Sequence, residues 1–159
     1  MKTNIIKLAD KLSNISAYLS GILMILIVIL ITFEIFLRAF FNTSTLIADE
    51  YSAYFFVGVV MLGLAYTLKE NSHIRITLIS SRLNKKINKY LDLSVTLIAV
   101  LICSFLLYHS ILMAYDTYSL EMTADTIAET PLYLPQLFLP IGFFVFDLQL
   151  ISYFIRRLP

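Results

Sequence analysis

One cysteine in 159 residues, Cys103, excludes an intramolecular disulfide and any thiolate metal cluster. It lies inside an apolar run, where a small buried or lipid-facing residue is its simplest role. Charge is scarce too: Asp, Glu, Lys and Arg make up only 14% of the chain. No basic patch with interleaved aromatics exists, so nothing points to nucleic acid. The two histidines, His73 and His109, provide no metal-ligand spacing, and no metal, cofactor or catalytic role is expected. Internal repeats are absent, which argues against a pair of inverted halves around a midplane transport site.

What fills the chain instead is apolar matter. Hydrophobic residues make up 59% of it and the mean hydropathy is +0.83, more than a soluble core of this size can hide. The composition predicts an integral membrane protein. Its organising stretch is Tyr51 to Leu68, roughly 18 uncharged residues, the length one helical crossing requires. Asp49 and Glu50 stand at its entrance and Lys69 at its exit, each matching the partial charge of its helix end.

Taken in order, residues 1–16 place Ile5, Leu8, Leu12 and Ile15 at helical spacing among Lys2, Lys7 and Lys11. That pattern predicts a short amphipathic lead at the membrane interface. The uncharged run from Leu12 to Phe33 is longer than a signal h-region and has no Ala-x-Ala-like site, so it is expected to be a retained first span, about 18–40. Glu34 and Arg38, four residues apart near its far end, suit an i,i+4 pair. Such a pair offsets part of the cost of a charge in a membrane helix, about 2.5–3.5 kcal/mol at the centre by insertion scales.

A second span is expected over about 51–68, a third over about 90–115 and a fourth over about 131–155. Between the second and third, an interfacial helix over about 77–89 carries Arg82, Lys85, Lys86 and Lys89 beside Ile79, Leu83 and Ile87. His73 opens that link as a capping or solvated group. Asp92 falls at the start of the third span, and His109, toward its other end, suits a neutral imidazole bonded to a nearby hydroxyl or carbonyl. Pro131 suits a first helical turn, whereas Pro140 should kink the fourth span and free a carbonyl. Asp147 has no base one turn away, so it must be neutral, reach water or pair with another helix or subunit.

Charge asymmetry sets the expected topology. Lys2, Lys7, Lys11, Lys69, Arg75, Arg82, Lys85, Lys86, Lys89, Arg156 and Arg157 share one side. The opposite loops hold no Lys or Arg, but do hold Asp116, Glu121, Asp125 and Glu129. The reading is an all-α membrane protein of one domain, four spans and both termini cytoplasmic.

These residues resemble a known family. Asp49-Glu50-Tyr51, the apolar span with Gly63, then Lys69 and His73-Ile74-Arg75-Ile76, are similar to the small, DctQ-like membrane subunit of tripartite ATP-independent periplasmic (TRAP) transporters. Arg38, Thr123-Ala124 and the series Pro131, Pro135, Pro140-Ile141-Gly142 add to the likeness, which covers nearly the whole chain. Ile47 stands near the place where the family often has Trp.

The resemblance implies a scaffold for a larger, elevator-type membrane subunit that holds the sodium and substrate sites. It also implies a periplasmic binding protein that delivers an organic acid, of C4-dicarboxylate or sialic acid type, at a bacterial inner membrane. Glu34, Arg38, Asp49, Glu50, His73, Pro140, Gly142 and Asp147 are then structural or subunit-interface positions, and membrane lipids the remaining partners.

Three other readings remain. A homodimeric proton-coupled multidrug antiporter would need Glu34 accessible and unpaired. A quinone-linked redox enzyme is poorly served by one cysteine and two histidines on opposite sides. The small subunit of a tripartite tricarboxylate transporter would share the general design.

Overall fold

Residues 2–70 and 84–157 are described in a computed structural model of the chain. They form α1 (Lys2–Phe41), α2 (Ala48–Lys69), α3 (Lys85–Ser119), the short α4 (Tyr133–Gln136) and α5 (Phe138–Arg157). Four stretches are long and apolar enough to cross a membrane: Thr3–Phe41, Ala48–Lys69, Ile87–Ser119 and Tyr133–Arg157. No strand occurs among the described residues, only an isolated antiparallel bridge between Thr123 and Pro131 in the α3–α4 link. His73 and most of the interfacial segment expected over 77–89 lie outside the described residues. Residues 85–89 are the opening turns of α3.

α1 has 40 residues, about 60 Å at 1.5 Å per residue, twice the thickness of the hydrocarbon core. Its inner face is a row of mostly small residues at alternating steps of four and three. Ala9, Ser13, Ser16, Ile27 and Glu34 are buried on it, and Ser20 donates to the carbonyl of Val59 at 2.8 Å. The large apolar residues of the N-terminal lead, Leu8 and Ile15, are exposed on the other side. Small side chains let helices approach closely in a membrane, so the small face packs and the large one turns outward.

α5 lies at the centre, touching α1, α2 and α3, and it buries residues almost all round, from Pro140 to Tyr153. α3 packs chiefly on α5 through one narrow stripe. Thr96, Cys103, Ser110 and Thr117 are buried there at seven-residue intervals. The three hydroxyls in this stripe bond to carbonyls of their own helix at 2.7–2.9 Å, so the seam needs no partner for them.

The expected break near Pro140 is observed one turn earlier, at Leu137, between α4 and α5. Pro140 cannot donate to the carbonyl of Gln136 and sits in the first turn of α5, where an N–H has no helical partner anyway.

At Gly142, α5 comes up against the backbone of α2. A methyl group at Gly142 would stand 2.7 Å from Met61 Cβ and 2.8 Å from its carbonyl oxygen, distances at which backbone would have to move. At Gly58 the obstacle is the end of Leu23, 2.6 Å away, and at Gly63 only Ser20 Oγ, at an ordinary 3.6 Å. Gly142→Ala is therefore expected to cost about 1–3 kcal/mol through overpacking. Gly63→Ala should be neutral or slightly stabilising, by up to ~1 kcal/mol from helix propensity. Unfolding of the two variants in detergent micelles measures this; equal midpoints would contradict the close approach at Gly142.

Candidate functional site

No group of three or more His, Cys, Asp or Glu able to hold a metal occurs among the described residues. The polar side chains gather instead at the two ends of the bundle, with one carboxyl between them.

At the acidic end, Glu34 is buried and organises the α1–α2 turn. Arg38 Nε donates to its Oε1 at 2.8 Å, as the i,i+4 spacing predicts, and Ser44 Oγ donates to the same oxygen. Oε2 accepts from Thr45 Oγ1 at 2.6 Å and from the Thr45 backbone N–H at 3.1 Å. Ser44 Oγ also accepts from the N–H of Leu46, a residue held at φ 59°, which is unfavourable for a leucine. One carboxylate thus closes the connection between the first two helices. The antiporter's requirement for an unpaired Glu34 is not met.

Asp49 is exposed at the start of α2. Glu50 turns inward and accepts from Tyr54 at 2.8 Å. Its Oε2 is buried without a donor at bonding geometry, with the hydroxyls of Thr126 and Thr130 beside the carboxylate. Thr130 also donates to Tyr51 at 3.3 Å, so the α3–α4 link rests on the entrance of α2. Asp116 in the last turn of α3, and Glu121, Asp125 and Glu129 in that link, are all exposed.

Within the span, Asp147 finds its partner on a neighbouring helix. Ser104 Oγ of α3 donates to Oδ2 at 2.9 Å, while Oδ1 is buried without a donor. Pro140 and Gly142 are both buried, Gly142 at the α2–α5 contact. His109 does not make the expected hydrogen bond. It lies on the exposed side of α3, its ring 4.3 Å from that of Phe105 and 5.4 Å from that of Tyr108, and it has no hydrogen bond among the described residues.

The basic end holds a network that the sequence did not disclose. Asp10 accepts from Arg156 at 2.5 and 2.7 Å and from Gln149 at 3.3 Å, and Ser13 donates to Gln149 at 3.0 Å. Asp92 pairs with Arg157 and receives the Tyr153 hydroxyl at 3.4 Å. Asp92 is thus not a first-turn acid: α3 begins at Lys85, two turns earlier, so its role comes from the end of α5 and not from the helix dipole. Lys69 reaches across to Asn14 at 2.7 Å. The available signals were a lone acid among N-terminal lysines and a lone amide, Gln149, in an apolar run.

Glu34 accepts several hydrogen bonds inside the bundle, whereas Arg38 is half exposed, its side chain 54% accessible. Glu34→Ala is therefore expected to cost about 1.5–3 kcal/mol, the range for charged hydrogen bonds. Arg38→Ala should cost about 0.2–1 kcal/mol, as for an exposed ion pair. Protease sensitivity of the 42–47 turn should rise in the first variant and hardly change in the second; the reverse order would assign the turn to Arg38.

Comparison with known proteins agrees with this geometry. The chain is 24% identical over 138 residues to a candidate TRAP transporter small permease protein of Haemophilus influenzae, covering 87% of this chain and 84% of that one. It is 26% identical over 113 residues to the sialic acid TRAP transporter permease protein SiaT of another H. influenzae strain, covering 71% of this chain but only 18% of that longer protein. Residues 27–159 match the family described as tripartite ATP-independent periplasmic transporters, DctQ component. A match over most of its length places the chain plainly in the DctQ family of TRAP transporter small permease subunits.

Proposed function

We propose that this chain is a scaffold: the small subunit that steadies the large, elevator-type membrane subunit of a sodium-coupled TRAP transporter. The observation that carries the reading is where the polar groups at membrane depth go. Glu34 is engaged by Arg38, Ser44 and Thr45, Asp147 by Ser104, and Gln149 by Ser13 and Asp10, all within the chain. Among the described residues, no interrupted helix pair turns donors toward a midplane cavity, the arrangement that transport sites use.

In this reading both termini are cytoplasmic, and the basic end, with Lys69, Arg156 and Arg157, faces inward by the bias of Lys and Arg. The membrane is the bacterial inner membrane, and the solute an organic acid of C4-dicarboxylate or sialic acid type, read by other chains. SiaT supports the division of labour, because the likeness to this chain covers only a small part of a much longer permease. A separate small chain then works beside a separate large one. Glu34, Arg38, Asp49, Glu50, His73, Pro140, Gly142 and Asp147 serve as structural or subunit-interface positions, not as transport ligands.

A pull-down of the subunit from its native membranes in mild detergent, followed by mass spectrometry, should recover a stoichiometric, much larger multi-span protein. Recovery of a homodimer alone would overturn the scaffold role. The exposed acids at the end of α3 and in the α3–α4 link give a second test, because a one-sided field steers a basic partner such as a soluble binding protein. Reversing Asp116, Glu121, Asp125 and Glu129 to Lys should leave assembly with the large subunit intact and lower uptake several-fold. Unchanged uptake would remove these acids from the docking of that protein.

A further inference from the structure

At the basic end, Lys69, Gln149, Tyr153, Arg156 and Arg157 line a recess of about 280 Å³ where the ends of α2 and α5 meet. The scaffold role neither requires this recess nor explains it. Its lining is held in place by neighbours. Gln149 is 2% exposed and fixed by Ser13 and Asp10. Arg157 lies over the ring of the buried Tyr153, 4.3 Å from its centre. Asp10 engages Arg156 only through Nη2, and Asp92 engages Arg157 through Nη1, so each guanidinium keeps further N–H donors beyond these ion pairs. The Lys69 ammonium completes the lining, 2.7 Å from Asn14 and 3.3 Å from Glu70.

Three cations from two helices therefore border one small polar cavity. The guanidinium fork matches the oxygens of a phosphate, and ammonium adds a point charge. Asp10, Asp92 and Glu70 offset the total charge, which leaves donor geometry, more than net field, to select a ligand. The recess stands where the apolar runs of α2 and α5 stop, after Leu68 and Ile155, the level at which lipid headgroups lie. Basic pockets between membrane helices at that level suit anionic headgroups.

We propose that this recess binds the phosphate of an anionic phospholipid. The test is native mass spectrometry of the full chain released from nanodiscs of equal phosphatidylglycerol and phosphatidylcholine. The retained lipid should favour phosphatidylglycerol by roughly tenfold, the scale of one or two charge-assisted hydrogen bonds. The variant Asp10→Asn/Arg156→Gln/Asp92→Asn/Arg157→Gln keeps the net charge and replaces each ion pair by a neutral one, and it should lose that preference. If it does not fold, Lys69→Gln and Arg156→Gln singly should each reduce the preference. No preference in the native chain, or an equal preference in the variants, would refute the site. Displacement of the lipid by inorganic phosphate would make the recess a free-phosphate site and overturn the lipid assignment.

Discussion

Helices packing in hydrocarbon gain little from the hydrophobic effect, because lipid tails are as apolar as leucine. Close backbone approach and hydrogen bonds must hold them together. In this bundle the approach of α5 to α2 at Gly142 and Met61 sets the geometry that the rest follows. With those two backbones in contact, α5 becomes the axis: α1 lays its row of small residues along α2 and α5, and α3 adds one stripe on the remaining side.

The polar interactions then fix what close packing leaves free. Glu34 ties the α1–α2 turn at the acidic end. The pairs Asp10–Arg156 and Asp92–Arg157 tie α1 and α3 to the end of α5 at the other. Rotation of α1 or α3 about its own axis would break these pairs, although the apolar middle alone could tolerate it. Between the ends, Asp147 and Ser104 supply a hydrogen bond at a depth where water is unavailable to replace it. Ion pairs at the boundary of the apolar runs cost less desolvation than the same pairs at the centre, which accounts for their placement.

Much of this architecture is local information, and that part was legible in the sequence. Hydropathy marks the helices because a spanning segment must be apolar along its whole length, and the Glu34–Arg38 pair follows from the pitch of one helix. What depends on two segments meeting was not legible. Ser44 and Thr45 carry no local mark of their role, because their target, Glu34, lies ten or more residues back on α1. Gly142 stands in a proline-rich series, and its close contact is with Met61 of another helix, so no spacing within one helix reveals it. Asp92 was misread because its helix starts earlier than its hydropathy does. In the lead of α1 the large apolar residues mark amphipathicity, but the face that packs in the bundle is the small one, Ala9, Ser13 and Ser16, which hydropathy does not pick out.

Glu34, Asp147 and Gln149 each find a partner within the fold, which bears on the proposed scaffold role. The faces left for a neighbour are then mainly apolar, such as Ile25, Ile29 and Phe33 on α1 and Leu101, Ile102 and Phe105 on α3. Contacts through such faces need shape complementarity and exchange no buried hydrogen bonds when they form. The small subunit would then keep one conformation whether or not a moving domain shifts beside it, because no internal polar pair has to open to make the interface. Rigidity of this kind suits a fixed frame, and it follows from the same hydrogen bonds that hold the four helices together.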